Sequence, residues 1–137
     1  MALNPSVRVR AAMSKNIVSV EAQRSIRSAV KTMVRKDLGS VVITEDGQPA
    51  GIVTERDIMK SIGYGKVNLD TIVGKIMSKP LISIGSDATL GEAADMMIKR
   101  KVRRLLVKEN GKYYVGIITQ RDLQRLMTDT FRSLLLI

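Results

Sequence analysis

Cysteine, histidine and tryptophan do not occur in this chain. The missing cysteines exclude a disulfide framework and a thiol nucleophile. The missing histidines remove the commonest metal ligand and the commonest general base, and with them Ser-His and Cys-His triads and the usual metal hydrolases. Aromatic residues make up only 3% of the sequence, one Phe and three Tyr, so any core must be built from Ile, Val, Leu, Met and Ala. No run of about 18 apolar residues is present, which excludes a spanning helix. The opening Met1-Ala2-Leu3-Asn4-Pro5 lacks the apolar stretch of a secretory signal. A soluble, cytoplasmic protein is the expectation. Neither Gly-x-x-x-x-Gly-Lys-Ser/Thr nor Gly-x-Gly-x-x-Gly is found, and the acid-base repertoire is confined to carboxylates, Lys and Tyr. Catalysis is not expected, and no catalytic or metal-binding residue is assigned.

What the chain does contain is one stretch written twice. Gly51-Ile52-Val53-Thr54-Glu55-Arg56-Asp57 returns as Gly116-Ile117-Ile118-Thr119-Gln120-Arg121-Asp122. In each copy an apolar pair enters the core, a threonine ends a strand, and an aspartate follows in the first turn of a helix. The structural reading of Thr-x-x-Asp is strong: Thr54 and Thr119 act as N-caps, and Asp57 and Asp122 at N3 suit the helix dipole and complete a capping box.

The repetition extends well beyond the motif. Met13-Ser14-Lys15-Asn16-Ile17-Val18-Ser19-Val20 falls on Met77-Ser78-Lys79-Pro80-Leu81-Ile82-Ser83-Ile84, an offset of 77 − 13 = 64. Ile26, Ala29, Val30, Met33 and Val34 form an apolar stripe at helical spacing, matched by Leu90, Ala93, Ala94, Met97 and Ile98. Each stripe predicts one buried helix face, with methionine as core filling. Thr89-x-x-Glu92 reads as a capping box that starts the second helix. Val41-Val42-Ile43 and Leu105-Leu106-Val107 read as buried strands, and Asp46-Gly47 and Asn110-Gly111 as hairpin turns. One extra residue between Gly111 and Gly116 moves the offset to 119 − 54 = 65.

Each repeat is therefore strand, helix, strand, strand, helix, an α/β (α+β) fold. A unit of about 60 residues buries too little surface to be comfortable alone. Two sheets packed face to face about a pseudo-twofold axis, with one shared core and two clefts, are expected. Gly63-Tyr64-Gly65-Lys66-Val67-Asn68 reads as the connector, and Ile72, Val73, Ile76 and Met77 as a short helix entering repeat two, echoed by Val9 and Met13. The expected boundaries are 7–64 for repeat 1, 65–72 for the linker, 73–128 for repeat 2 and 129–137 for an apolar tail.

The doubled Gly-h-h-Thr-x-x-Asp (h, apolar) in matching positions resembles a tandem pair of CBS domains (cystathionine beta-synthase domains), a Bateman module, over residues 7 to 128. The resemblance implies a regulatory module that binds an adenosine compound, AMP, ADP or ATP or a related adenosyl compound, and requires no further cofactor. It implies that the aspartate holds the two ribose hydroxyls and that the threonine contacts phosphate or ribose. A carboxylate offers paired acceptors for such a diol, and a helix N-terminus presents free N–H groups to phosphate. Carried over by position, one cleft joins Thr54 and Asp57 to Leu81, Ile82, Val102, Arg103 and Arg104. The other joins Thr119 and Asp122 to Ile17, Val18, Leu38, Gly39 and Ser40. Arg103-Arg104 stands where members carry basic residues that reach phosphate, whereas Gly39-Ser40 brings no charge.

The resemblance also implies a homodimer formed through the helices that carry Ile58, Met59 and Ile62 and, in the second copy, Leu123, Gln124 and Met127. The apolar tail Phe131-Arg132-Ser133-Leu134-Leu135-Leu136-Ile137 is expected to dock on its own module or across that dimer. No effector domain is recognisable in the sequence, so a regulated partner would act in trans.

The rival reading is a basic nucleic-acid-binding or interaction scaffold built on the same pair. Net charge is +10, which favours anionic partners. Arg24, Arg27, Lys31 and Arg35 share one face of the first helix. Against it stand the solvated character of most such faces, the lack of a nucleic-acid motif and the few aromatics for stacking bases. Nucleic acid is therefore not the expected partner.

Overall fold

Apolar residues three and four apart become helix here wherever a hydroxyl precedes them to cap the first turn. The computed structural model describes residues 6–135, without the side chains of residues 130 and 131; Met1 to Pro5 and the last two residues of the apolar tail lie outside it. In chain order the elements are α1 (Val9–Ala12), β1 (Ser19–Glu21), α2 (Ile26–Lys36), β2 (Ser40–Glu45), β3 (Gln48–Thr54), α3 (Glu55–Gly63), a 3-10 turn (Val73–Lys75), β4 (Ser83–Gly85), α4 (Leu90–Arg100), β5 (Arg104–Glu109), β6 (Tyr113–Thr119) and α5 (Gln120–Leu135). Ser25 caps α2 by accepting the Ser28 N–H at 3.1 Å, and Thr89 caps α4 by accepting the Glu92 N–H at 3.1 Å. Glu92 takes the Thr89 hydroxyl at 3.3 Å.

Each repeat builds the same three-stranded mixed sheet: β1 runs parallel to β2, which pairs antiparallel with β3, and β4, β5 and β6 do likewise. The hairpin turns sit at the Asp-Gly and Asn-Gly pairs. Asp46 and Gly47 have φ of 51° and 77°, and Asn110 and Gly111 have 53° and 66°, left-handed angles that these residue types adopt at low cost. The extra residue of repeat two lies in the turn. Glu45 pairs directly with Gln48, whereas Glu109 pairs with Tyr113 and accepts the Lys112 N–H at 3.1 Å. Both ladders then slip by one residue at matching places, after Ile43 and after Val107.

The described residues form one core cluster within each unit. The first gathers Val20, Ala22, Ile26, Ala29, Met33, Val41, Ile43, Val53 and Val73. The second gathers Val9, Ile84, Leu90, Ala93, Met97, Leu105, Val107, Ile118 and Leu123. The helix stripes supply both, but their last positions do not. Val34 is 75% and Ile98 76% exposed. At about 100° per residue these positions have rotated roughly 80° from the stripe's first residue, past the edge of the buried face.

The compact units do not follow the repeats as written. One comprises Ile17–Leu81; the other comprises the described residues up to Asn16 together with those from Ile82 onward. The segment expected to enter repeat two instead packs on repeat one as a 3-10 turn, where Val73 is fully buried and Ile76 and Met77 pack beside it. The preceding residues dock on the start of α2: Ile26 N–H donates to Thr71 at 2.8 Å, Arg27 N–H to Leu69 at 2.9 Å, and Val73 N–H to the Arg24 carbonyl at 2.7 Å. Carbonyls of the connector thus satisfy N–H groups that a helix start leaves unpaired. Val7 and Val9 repeat the arrangement on α4, with Leu90 N–H donating to Val7 at 2.8 Å and Val9 N–H to Ala88 at 2.7 Å.

A second crossing explains the glycine that opens each motif. Ser78 and Ile52 exchange backbone hydrogen bonds of 2.8 and 3.1 Å, and Ser14 and Ile117 exchange two of 2.9 Å. A Cβ on Gly51 would stand 2.8 Å from both the Met77 sulfur and the Ser78 carbonyl oxygen; on Gly116 it would stand 2.6 Å from the Met13 sulfur and 2.7 Å from the Ser14 oxygen. The Met-Ser pairs and the motif glycines, 116 − 14 = 102 residues apart in one case, are two sides of one contact. Gly116→Ala should therefore lower stability by about 1–3 kcal/mol, the scale of overpacking. Gly85→Ala, whose added Cβ meets nothing within 4 Å, should be nearly neutral. Urea denaturation of both variants checks this; equal midpoints would refute the close-approach account.

Candidate functional site

The two Thr-x-x-Asp motifs fall where β3 turns into α3 and β6 into α5. Each is held by a reciprocal pair of hydrogen bonds. Thr54 N–H donates to Asp57 Oδ2 at 2.9 Å, and Asp57 N–H donates to Thr54 Oγ1 at 3.1 Å. At the second junction the same bonds measure 2.9 and 3.2 Å. Thr54 is extended, with φ −111° and ψ 164°, which is what lets its hydroxyl turn back over the first helical turn. The capping reading of both motifs is correct, and it leaves each carboxylate in one orientation.

Residues just before the central strand close the junction. Glu55 N–H donates to the Gly39 carbonyl at 3.0 Å, and Gln120 N–H to the Arg103 carbonyl at 2.7 Å. Ser40 lies opposite Thr54 in the ladder, and Arg104 opposite Thr119. These carbonyls are aimed by the turns that end α2 and α4. There Asp37 and Lys101 take left-handed φ of 53° and 55°, and the N–H groups of Leu38 and Val102 return to Met33 at 2.8 Å and Met97 at 3.0 Å. Val18 and Ile82 extend the parallel pairing, their carbonyls accepting the N–H of Val42 and Leu106 at 3.0 Å. Ile17, Val18, Leu81 and Ile82 are all half-buried.

Among the site residues expected from sequence, Ile17, Val18, Leu38, Gly39, Ser40, Thr54, Asp57 and Leu81 belong to one unit, and Ile82, Val102, Arg103, Arg104, Thr119 and Asp122 to the other. Within each unit the pre-strand residues and the Thr-x-x-Asp motif meet. The first-turn N–H groups of Glu55, Asp57, Gln120 and Asp122 are bonded within their own unit.

The junctions differ in their second carboxylate oxygen. Asp122, its side chain 13% exposed, accepts Arg125 Nη2 on Oδ1 at 3.0 Å. Asp57 is half-buried, and among the described residues its Oδ1 accepts no bond. Arg125 was not among the residues singled out from sequence; the signal was its spacing of three from Asp122 on a helix. The basic stripe of α2 is exposed and partly self-engaged, Arg24 donating to Ser28 Oγ at 3.2 and 3.1 Å and Arg27 lying 3.4 Å from Asp70. Among the described residues there is no group of three or more His, Cys, Asp or Glu that could hold a metal ion, and no helix is long and apolar enough to cross a membrane.

Two repeats of β-α-β-β-α, each with a three-stranded mixed sheet and a capped Thr-x-x-Asp junction, define a CBS pair. The CBS domain model matches residues 9–64 and again 73–129, and the chain belongs to that family. It is similar to an uncharacterized 17.7 kDa protein of Acidianus ambivalens, with 38% identity over 80% of this chain and 66% of that one. It is also similar to an uncharacterized protein, MK0525, of Methanopyrus kandleri, with 34% identity over 86% of this chain and 61% of that one. The chain thus spans about two thirds or less of either relative. Among solved structures it is similar to the CBS domain pair of protein MJ0100, crystallised in complex with 5′-methylthioadenosine and S-adenosyl-L-methionine: 25% identity, TM-score 0.82, 92% of this chain and 99% of that one.

The cap geometry separates two substitutions that the sequence alone would lump together. Thr54→Ala removes the acceptor for the Asp57 N–H and should lower stability by about 0.5–2 kcal/mol. Asp57→Asn keeps an oxygen for the Thr54 N–H and loses only the charge near the helix start, about 0.3–1 kcal/mol. Chemical denaturation followed by circular dichroism measures both; an unfolded Asp57→Asn protein would show that the charge itself holds the junction.

Proposed function

We propose that this chain is a regulatory module that senses an adenosine compound, AMP, ADP or ATP or a related adenosyl compound, through its Thr-x-x-Asp junctions. The observation that carries the reading is the state of Asp57. The cap consumes one lone pair of Oδ2 and fixes the carboxylate, and Oδ1 of the half-buried Asp57 accepts no bond among the described residues. A ribose supplies two adjacent hydroxyl donors, and hydrogen bonds to a charged acceptor contribute about 1.5–3 kcal/mol each. The ligands of the MJ0100 pair, 5′-methylthioadenosine and S-adenosyl-L-methionine, share such a ribose. Occupancy would be passed to a partner in trans.

The same proposal counts Leu81, Ile82, Val102, Arg103, Arg104, Ile17, Val18, Leu38, Gly39 and Ser40 among the ligand-contacting residues beside Thr54, Asp57, Thr119 and Asp122, and gives Arg103 and Arg104 the phosphates. Isothermal titration with adenosine, AMP, ADP, ATP, NAD, 5′-methylthioadenosine and S-adenosyl-L-methionine tests the function. At least one should bind, and at 100 times its dissociation constant it should add about 2.7 kcal/mol, raising the melting temperature by several degrees. Asp57→Asn should weaken the tighter site by roughly 1–3 kcal/mol. Replacing Arg103 and Arg104 by Ala should weaken ATP and spare adenosine. No binding by any member of the panel would leave a scaffold.

Self-association belongs to the same reading. On α3, Met59 is 72% and Ile62 37% exposed, and on α5 Met127 is 56% exposed, while Ile58 and Leu123 pack into the cores. Leu134 and Leu135 at the end of α5 are also exposed. Isolated apolar patches of this kind are unfavourable in water, and a second copy laid along α3 and α5 would cover them. Light scattering at tens of micromolar should give the mass of a dimer, and Met59→Asp with Met127→Asp should give a monomer. A monomeric parent would refute this part of the proposal.

A further inference from the structure

The caps of the two junctions match within 0.1 Å, 2.9 and 3.1 Å against 2.9 and 3.2 Å, so two equal carboxylates would be expected. They are not equal. Asp122 Oδ1 lies 3.0 Å from Arg125 Nη2. The matching position in the first repeat, 125 − 65 = 60, is Lys60, which is exposed and forms no ion pair with Asp57 among the described residues. We propose that Arg125 acts as an internal stand-in for ligand: its guanidinium occupies the oxygen that a ribose hydroxyl would need, so the first junction fills before the second. The inference rests on the ribose-binding reading above and adds to it an order of filling built into one residue.

The geometry allows such a gate to open. Arg125 is 63% exposed on its side chain, whereas Asp122 is 13% exposed, so the arginine can swing into solvent while the aspartate stays fixed by its cap. The pair is three residues apart on one helix and needs no other element to form. An ion pair with one partner in water is weak, which makes it a bias on filling and not a block. It is also screened by salt.

The test uses adenosine as an uncharged probe, with 2′-deoxyadenosine, which lacks one of the two vicinal hydroxyls, as its control. In the Asp57→Asn protein, where the second junction is isolated, adding Arg125→Gln should tighten adenosine binding about two- to fivefold, the scale of a partly exposed ion pair. Arg125→Lys, which keeps a charge within reach, should stay close to the Asp57→Asn protein. Neither change should restore 2′-deoxyadenosine. Unchanged or weaker adenosine binding with Arg125→Gln, in a protein whose melting shows it folded, overturns the gate and makes Arg125 a bystander or a ligand contact. Failure of the underlying reading looks different: the parent protein then binds adenosine no better than 2′-deoxyadenosine, or binds neither.

Discussion

The reciprocal hydrogen bonds between threonine and aspartate at the end of β3 and of β6 are the constraint on which the rest of the molecule turns. A strand that runs straight into a helix leaves several N–H groups without partners. Here the threonine hydroxyl, the aspartate carboxylate and the carbonyl of the residue before the central strand take them up within one turn. Structure and site are not separate claims on these residues. The bond that starts the helix also holds the carboxylate in one orientation, and a carboxylate held in advance loses less freedom when it meets a diol.

The strand ends are placed in turn by a chain that doubles back. The carbonyls of Leu69 and Thr71 occupy the N–H groups at the start of α2, and that of Val7 does so at the start of α4. Val73 and Val9 then enter the two cores. The Met-Ser segments continue over the motif glycines, where no side chain fits. A unit cut at the end of α3 would lose Val73 from its core and leave the N–H groups of α2 in want of partners. The packing unit is therefore Ile17–Leu81, shifted toward the C-terminus from the repeat as written.

Near-equal repeats acquire different chemistry through few substitutions. Lys60 and Arg125 are both basic and occupy equivalent positions, yet only the arginine reaches its aspartate. The planar guanidinium offers several donors in a fixed fork, which lets it meet a carboxylate from a neighbouring helical turn where an ammonium stays in water. The two aspartates consequently differ in what their second oxygen meets.

Much of this was readable without coordinates, for reasons that are local. Asp, Asn and Gly are the residues that adopt φ above zero at least cost, so the hairpins announced themselves at Asp46-Gly47 and Asn110-Gly111. Helical spacing marked α2 and α4, a capping threonine marked the start of α4, and the 64-residue offset placed the elements of the second repeat by those of the first. The same local logic misled at Val34 and Ile98, because spacing tells that residues share a side of a helix and not how wide the buried face is. Only tertiary structure decided which repeat the connector packs on, since Val73 is as apolar at the end of one repeat as at the start of the next. Only it revealed why Gly51 and Gly116 are glycines, because the atoms that exclude a side chain come from Met77 and Met13. And only it separated Asp57 from Asp122. The sequence determined that both carboxylates would begin a helix, and it holds Arg125 three residues after Asp122 where the first repeat has Lys60; whether that side chain reaches the second oxygen is a distance that only the folded helix sets.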